Sequence, residues 1–180
     1  MPSTIDIVKL WFNANGTPVV QRNYPEAASQ SGIRVGDPVY LVSGAVTAAA
    51  STGANVGAVK LLGIALKDGS GTTGNLIPVA IYTDDLRWVL PCTTSAVTIG
   101  TGAATAATQV GLPYEISRVA AGKITVDINA NTNAMVVVES IHAQYGVFNT
   151  NAGVVTGVGS TESGGWLVCK PYEANWDTTA

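Results

Sequence analysis

Gly69-Ser70-Gly71-Thr72-Thr73-Gly74 reproduces the glycine spacing of a dinucleotide-binding loop letter for letter. Such a loop works by aiming backbone N–H groups and the start of a helix at a pyrophosphate. Here the next residues are Leu76-Ile77-Pro78-Val79-Ala80-Ile81, an apolar run that reads as a strand, so the glycines are expected to form a hairpin loop. Asp127, Asn129, Asn131 and Asn133 alternate like the early ligands of a calcium loop. The sixth position is Thr132 and the twelfth Val138, where that loop needs a tight-turn glycine and a bidentate glutamate. Asparagines that cap and turn the chain between two strands explain the segment more simply.

His142 is the one histidine, which excludes multi-histidine metal sites and leaves a single imidazole base at a strand end. No serine sits in a Gly-x-Ser-x-Gly elbow, and neither Cys92 nor Cys169 carries a catalytic, redox or metal-ligand spacing; the sequence leaves open whether they pair, two buried free thiols being the simpler expectation. Asp84 and Asp85 are adjacent and on a strand would point to opposite faces, which makes them a solvated corner rather than a carboxylate pair. Asn15-Gly16-Thr17 has the form of a glycosylation sequon but reads as an Asn-Gly turn. The expectation from these residues is a non-enzymatic protein with no catalytic, cofactor or metal site.

The elements around them are short β-branched and apolar runs separated by Gly, Asn, Asp and Ser, with almost no helical periodicity. Strands are expected at Pro38 to Val42 and Val46 to Ala49 about a Ser43-Gly44 turn, then at Lys60 to Leu66, Leu76 to Tyr82 and Leu86 to Leu90. Further strands are expected at Pro113 to Val119, Lys123 to Ile128, Met135 to Ile141 and Trp166 to Lys170, with one helical turn at Pro25 to Ser29. Gly63 and Gly111, and Gly74 and Gly122, stand at one common separation, which reads as two tandem related β-units. The expected organisation is an N-terminal arm and linker (1–34), a first β-unit (35–84), a second β-unit (85–141), and a loop-rich C-terminal segment and tail (142–180).

Charged residues are 12% of the 180-residue chain and its net charge is −3, about half the usual share of charge. So neutral an exterior fits a protein that faces other protein, and its scattered Lys and Arg form no stripe for a phosphate backbone. Neither nucleic acid nor membrane is an expected partner. The first residues lack a basic segment followed by an apolar run, so synthesis and assembly in the cytoplasm are expected. Trp88 reads as core. Ile5, Ile7, Leu10, Trp11 and Phe12 form an apolar cluster ahead of the first hairpin, and Trp176 stands in a polar tail. These six are the expected contacts with other chains, the alternative being that both ends complete the chain's own sheet.

Gly36-Asp37-Pro38-Val39-Tyr40-Leu41-Val42-Ser43-Gly44-Ala45-Val46, Leu62-Gly63-Ile64-Ala65-Leu66-Lys67-Asp68-Gly69 and Gly74-Asn75-Leu76-Ile77-Pro78-Val79-Ala80-Ile81 together resemble the capsid decoration, or cement, proteins of tailed bacteriophages. The resemblance covers about a third of the chain. It implies a small β-barrel or β-tulip domain and a homo-oligomer with a trimer favoured, beside the all-β class and extended terminal arms already read from the residues. It further implies a place on the outside of the virion, bound to the major capsid protein lattice, and brings no catalytic residues. A carbohydrate-binding or adhesin-like β-module is the alternative from another class, and it would require an exposed groove lined with aromatics. A tail or baseplate component is a close neighbour of the capsid reading, and an enzyme on a β-scaffold ranks third because no constellation of groups supports it.

Overall fold

The computed structural model describes residues 11–51, 53–93, 109–120, 123–141, 146–149, 154–157 and 166–177. Among the described residues the elements with defined bounds are strands and a 3₁₀ turn, Glu173–Asn175. A first unit is built from β2 (Gln21–Pro25), β3 (Pro38–Val42), β4 (Ala45–Ala48), β6 (Gly63–Ala65) and β7 (Leu76–Ile81), whose spatial order is β2-β7-β6-β3-β4. The β3–β4 hairpin is the expected one, and its turn residues Ser43 and Gly44 both have positive φ (50° and 81°). That is the type I′ geometry, whose twist matches that of the flanking strands. The end strands of this sheet also meet, since Glu26 bridges Val46 and the Ala27 N–H donates to the Val46 carbonyl at 3.0 Å. The helical turn expected at Pro25 to Ser29 is therefore absent. The N–H groups of Glu26 and Ala27 are drawn sideways to the Asn75 and Val46 carbonyls, and Ser29 turns the chain at φ 62°.

The second unit is a closed barrel. It consists of β8 (Leu86–Thr93), β9 (Pro113–Ala120), β10 (Lys123–Asp127), β11 (Val136–Ile141) and β14 (Trp166–Pro171). The ring runs β8-β10-β9-β11-β14 and back to β8, with β8–β10 parallel and the other pairs antiparallel. Closure removes the unpaired edges that an open sheet of this size would present. Two short strands add to it, β1 (Trp11–Asn13) on β8 and β5 (Ala54–Asn55) on β9. A separate hairpin joins β12 (Gly146–Asn149) and β13 (Val154–Gly157).

The chain is thus all-β with a small barrel. Each unit also takes a strand from a segment read as terminal: Gln21–Pro25 completes the first sheet and Trp166–Pro171 closes the barrel. Gly63 and Gly111 do not mark equivalent places, and Gly122 of the second pair lies outside the described residues. Gly63 lies inside β6, where an added Cβ would collide with the Ala80 carbonyl, whereas Gly111 turns the chain at φ 87° before β9.

Strands β6 and β7 are sandwiched between two cores, which explains why Leu76 to Ile81 is a near-continuous apolar run rather than an alternating one. Ile64 and Ala80 point into a core shared with the barrel residues Trp88, Leu90, Ile116, Val126 and Leu167. Ala65, Val79 and Ile81 point the other way, onto Ile33, Val39, Val46 and Leu62. Trp88 is buried, as expected, and so are Cys92 and Cys169, neither of them in a disulfide. Burial pushes the Cys169 thiol up, with Cys92 and Glu139 adding to the shift.

Among the described residues one ion pair crosses between the units inside the protein. Arg118 of β9 donates through Nη2 to the Asp37 carboxylate at 2.6 Å and to the Gly32 carbonyl, and through Nη1 to the Ala50 carbonyl at 3.1 Å. The two side chains are 6% and 0% exposed. Asp37 also accepts from the Arg34 N–H at 2.9 Å, which fixes the corner leading into β3. Removing one member of a buried pair strands the other charge away from water. Asp37→Ala is therefore expected to cost about 3–5 kcal/mol in denaturant unfolding, and a double-mutant cycle with Arg118→Met should show strong coupling. Additive single and double variants would show that the pair does not hold the units together.

Candidate functional site

The glycine loop does bind an anion, and the anion is the chain's own Glu26. The Ser70 N–H and hydroxyl donate to Oε2 at 3.0 and 2.7 Å, and the Gly71 N–H donates to Oε1 at 2.5 Å. Gly71 has φ 80°, which turns successive N–H groups toward one point. The backbone of Glu26 is held as well, its N–H by the Asn75 carbonyl and its carbonyl by the Gly74 N–H. Gly69 packs directly on the Gln30 carbonyl and the Ile33 side chain, where an added Cβ has no room. The expected hairpin loop is present, and its cradle is filled by a side chain from the neighbouring strand.

Burial raises the Glu26 carboxyl, but the Ser70 and Gly71 hydrogen bonds and nearby Lys67 outweigh it and hold the group below its ordinary value.

The asparagine run after β10 serves as a turn. The Asp127 carboxylate accepts from the Asn129 N–H at 3.1 Å, and the Asn133 N–H donates to Glu115 at 2.9 Å. Asn15-Gly16-Thr17 is likewise a turn, with the Thr17 N–H and hydroxyl on the Asn15 side-chain oxygen and Gly16 at φ 77°. Asp84 and Asp85 take separate partners, Tyr82 and Asn15. Among the described residues no three His, Cys, Asp or Glu cluster as metal ligands, and no helix is long and apolar enough to cross a membrane. His142 lies outside the described residues.

The residues expected to touch other chains divide into three groups. Ile5, Ile7 and Leu10 lie outside the described residues. Trp11 and Phe12 belong to β1 and pair with Trp88 and Arg87 of their own chain. Trp176 is 1% exposed and belongs to the chain's own core, which corrects the expectation of an intermolecular contact. Its ring packs edge-on against Trp88 and tilted against Tyr82, and its Nε1 donates to the Met135 carbonyl at 2.7 Å. The tail is held in place through its backbone too, with Leu61 and Asp177 N–H groups donating to the Asn175 and Leu61 carbonyls. A lone indole in a polar segment needs apolar cover, and the nearest cover is the junction between the two units.

Beside this tail lies an open cleft of about 570 Å³, lined by Tyr82, Arg87, Val137, Lys170, Tyr172 and Glu173 among others. Register explains it: Arg87, Lys170 and Val137 sit at matching levels on β8, β14 and β11 and share the barrel's outer face. Arg87 is held by Glu139 at 2.5 Å and by the Asp84 carbonyl at 2.7 Å, so its charge is already paired. Tyr82 donates to Asp84 at 2.7 Å. Burial, that hydrogen bond and the charges of Asp84 and Glu173 push its hydroxyl up to about 12. Lys170 and the Tyr172 ring are exposed at the rim. Sequence reasoning passed over this cleft, because its residues come from three separate segments and carry no motif.

No protein-family model matches the chain, and no curated protein matches it either.

The Glu26 cradle generates a prediction of acid sensitivity. A carboxyl held below its unfolded value contributes stability that is fully present above the unfolded carboxylate range and is lost as pH falls through the folded value. Wild-type Tm should therefore drop on acidification more steeply than that of Glu26→Gln. At neutral pH Glu26→Ala should cost on the order of 2 kcal/mol by leaving charged-group hydrogen bonds unmade. Superimposable pH–Tm curves for wild type and Glu26→Gln would show that the loop does not depend on the charge.

Proposed function

We propose that the protein is a structural virion component, a decoration protein that seats on the outside of a tailed-phage capsid and stabilises the lattice. The observation that carries this reading is where its charge lies. Glu26, Asp37, Glu115, Arg118 and Asp127 are all buried, in a chain that is only 12% charged. Charge is drawn inward, and the exterior left behind is neutral with exposed Val20, Val42, Leu76, Val110 and Leu112. Such a surface packs against neighbouring protein without a large cost for desolvating ions. The resemblance of residues 36–81 to decoration proteins points the same way, and with it comes the proposal of a homotrimer on the major capsid protein lattice.

A second reading has the cleft in its favour. An open groove with an exposed tyrosine ring, a second tyrosine in its wall and a mixed polar rim is the kind of surface on which a sugar ring stacks. Trp88 and Trp176 are buried and contribute nothing to such a platform.

Cryo-electron microscopy of virions incubated with the purified chain should show added density at junctions between capsid subunits, and the decorated shells should resist heat better than bare ones. Mass measurement should give a trimer. Failure to co-sediment with shells, or density confined to the tail, would overturn the capsid reading. Tyr172→Ala separates the alternatives: shell binding should persist, while loss of binding to a glycan array would favour the carbohydrate module.

A further inference from the structure

We propose that Glu115, Asp127, Asn55, Ser117 and Thr125 form a binding site for a hard divalent cation of the calcium type. Glu115 and Asp127 are directly opposed on the antiparallel pair β9–β10, and Ser117 and Thr125 are opposed two residues along it. All four side chains lie on the face of the hairpin opposite to Ile116 and Val126, which point into the barrel core. Asn55 of β5 pairs with Ser117 from the other side. Five oxygen-bearing side chains thus stand together on three adjacent strands.

Glu115 and Asp127 are 6% and 4% exposed, and no ion pair among the described residues reaches either carboxylate. Their partners are neutral. Glu115 accepts from the Asn133 N–H at 2.9 Å and from Asn55 Nδ2 at 2.8 Å, and Asp127 accepts from the Asn129 N–H at 3.1 Å and from Asn55 Nδ2 at 3.4 Å. Two like charges side by side and out of water need more than dipoles to balance them.

The independent observation is Thr125. It is fully buried on this same face, and its hydroxyl has no hydrogen-bond partner. A buried hydroxyl without a partner costs desolvation that a cation ligand would recover. Ser117 Oγ sits one strand away, hydrogen-bonded to Asn55 Oδ1.

The ligand set selects the ion. Every donor is oxygen and two are carboxylates, which suits a hard cation and disfavours metals that prefer nitrogen or sulfur. Two carboxylates, two hydroxyls and the Asn55 amide oxygen, presented by turning the amide over, approach the six to eight oxygens that calcium takes. This is not the loop that the asparagine spacing imitates. Asp127 serves both patterns, but its companions come from across the sheet rather than from the following residues. A cation here would pin β5 to the barrel. The Ala50 carbonyl, just ahead of β5, already binds Arg118.

The test uses the full chain after treatment with chelator, with calcium chloride as the probe and magnesium chloride for comparison. Saturating calcium should raise Tm by about 5 °C, and calorimetric titration should give one site per chain. The isosteric Thr125→Val should fold with its Tm in chelator unchanged or raised, and should bind calcium about tenfold more weakly. Glu115→Gln with Asp127→Asn should abolish the shift, and Asp85→Asn, on the exposed corner, should leave it intact. A wild-type Tm indifferent to calcium overturns the site. So does a calcium shift of equal size and affinity in Thr125→Val, because the ion would then lie elsewhere.

Discussion

Two β-units that share one hydrophobic core are also tied by a charge that neither could keep alone. The Asp37 carboxylate, at the corner before β3, and the Arg118 guanidinium, on β9, are both withdrawn from water. Each would be costly by itself, and a pair in this setting is tolerated only when geometry and extra hydrogen bonds offset desolvation. That condition reaches outward. The Gly32 and Ala50 carbonyls must face the guanidinium, so the segments ahead of β3 and after β4 are committed to the barrel as well. β5 then follows as a crossover strand, its neighbours Gly53 and Val56 donating to the carbonyls of Arg118 and Ile116.

The same economy of charge recurs at Glu26. A glycine-rich loop with converging N–H groups is an anion receptor by geometry, and in this chain the receptor is occupied internally, where it fastens the end of β2 to the β6–β7 connection. Ser70 and Gly71 therefore do for a side chain what the dinucleotide motif does for a phosphate. Internal use of carboxylates and guanidinium groups leaves the outside poor in charge, and this links the architecture to the proposed role on a crowded protein lattice.

Strand positions were legible because alternation, β-branching and turn residues act locally. The Ser43-Gly44 hairpin, the β9–β10 hairpin and the strand from Trp166 all lie where residue types place them. The tail was not. Trp176 in a polar segment announces only that an indole needs cover, and whether that cover is another chain or Met135, Trp88 and Tyr82 of its own depends on contacts distant in sequence.

Sequence by itself determined the all-β class, most strand positions and which residues share a face, since these follow from backbone preferences and a period of two. The same period of two sets Glu115, Ser117, Thr125 and Asp127 on one face of the β9–β10 hairpin. Only the tertiary structure decided that this face is buried, that Glu26 fills the glycine loop, and that β14 closes the barrel. The physical reason is that a polar side chain carries the same pattern whether water or protein lies beyond it, and long-range packing alone chooses between them.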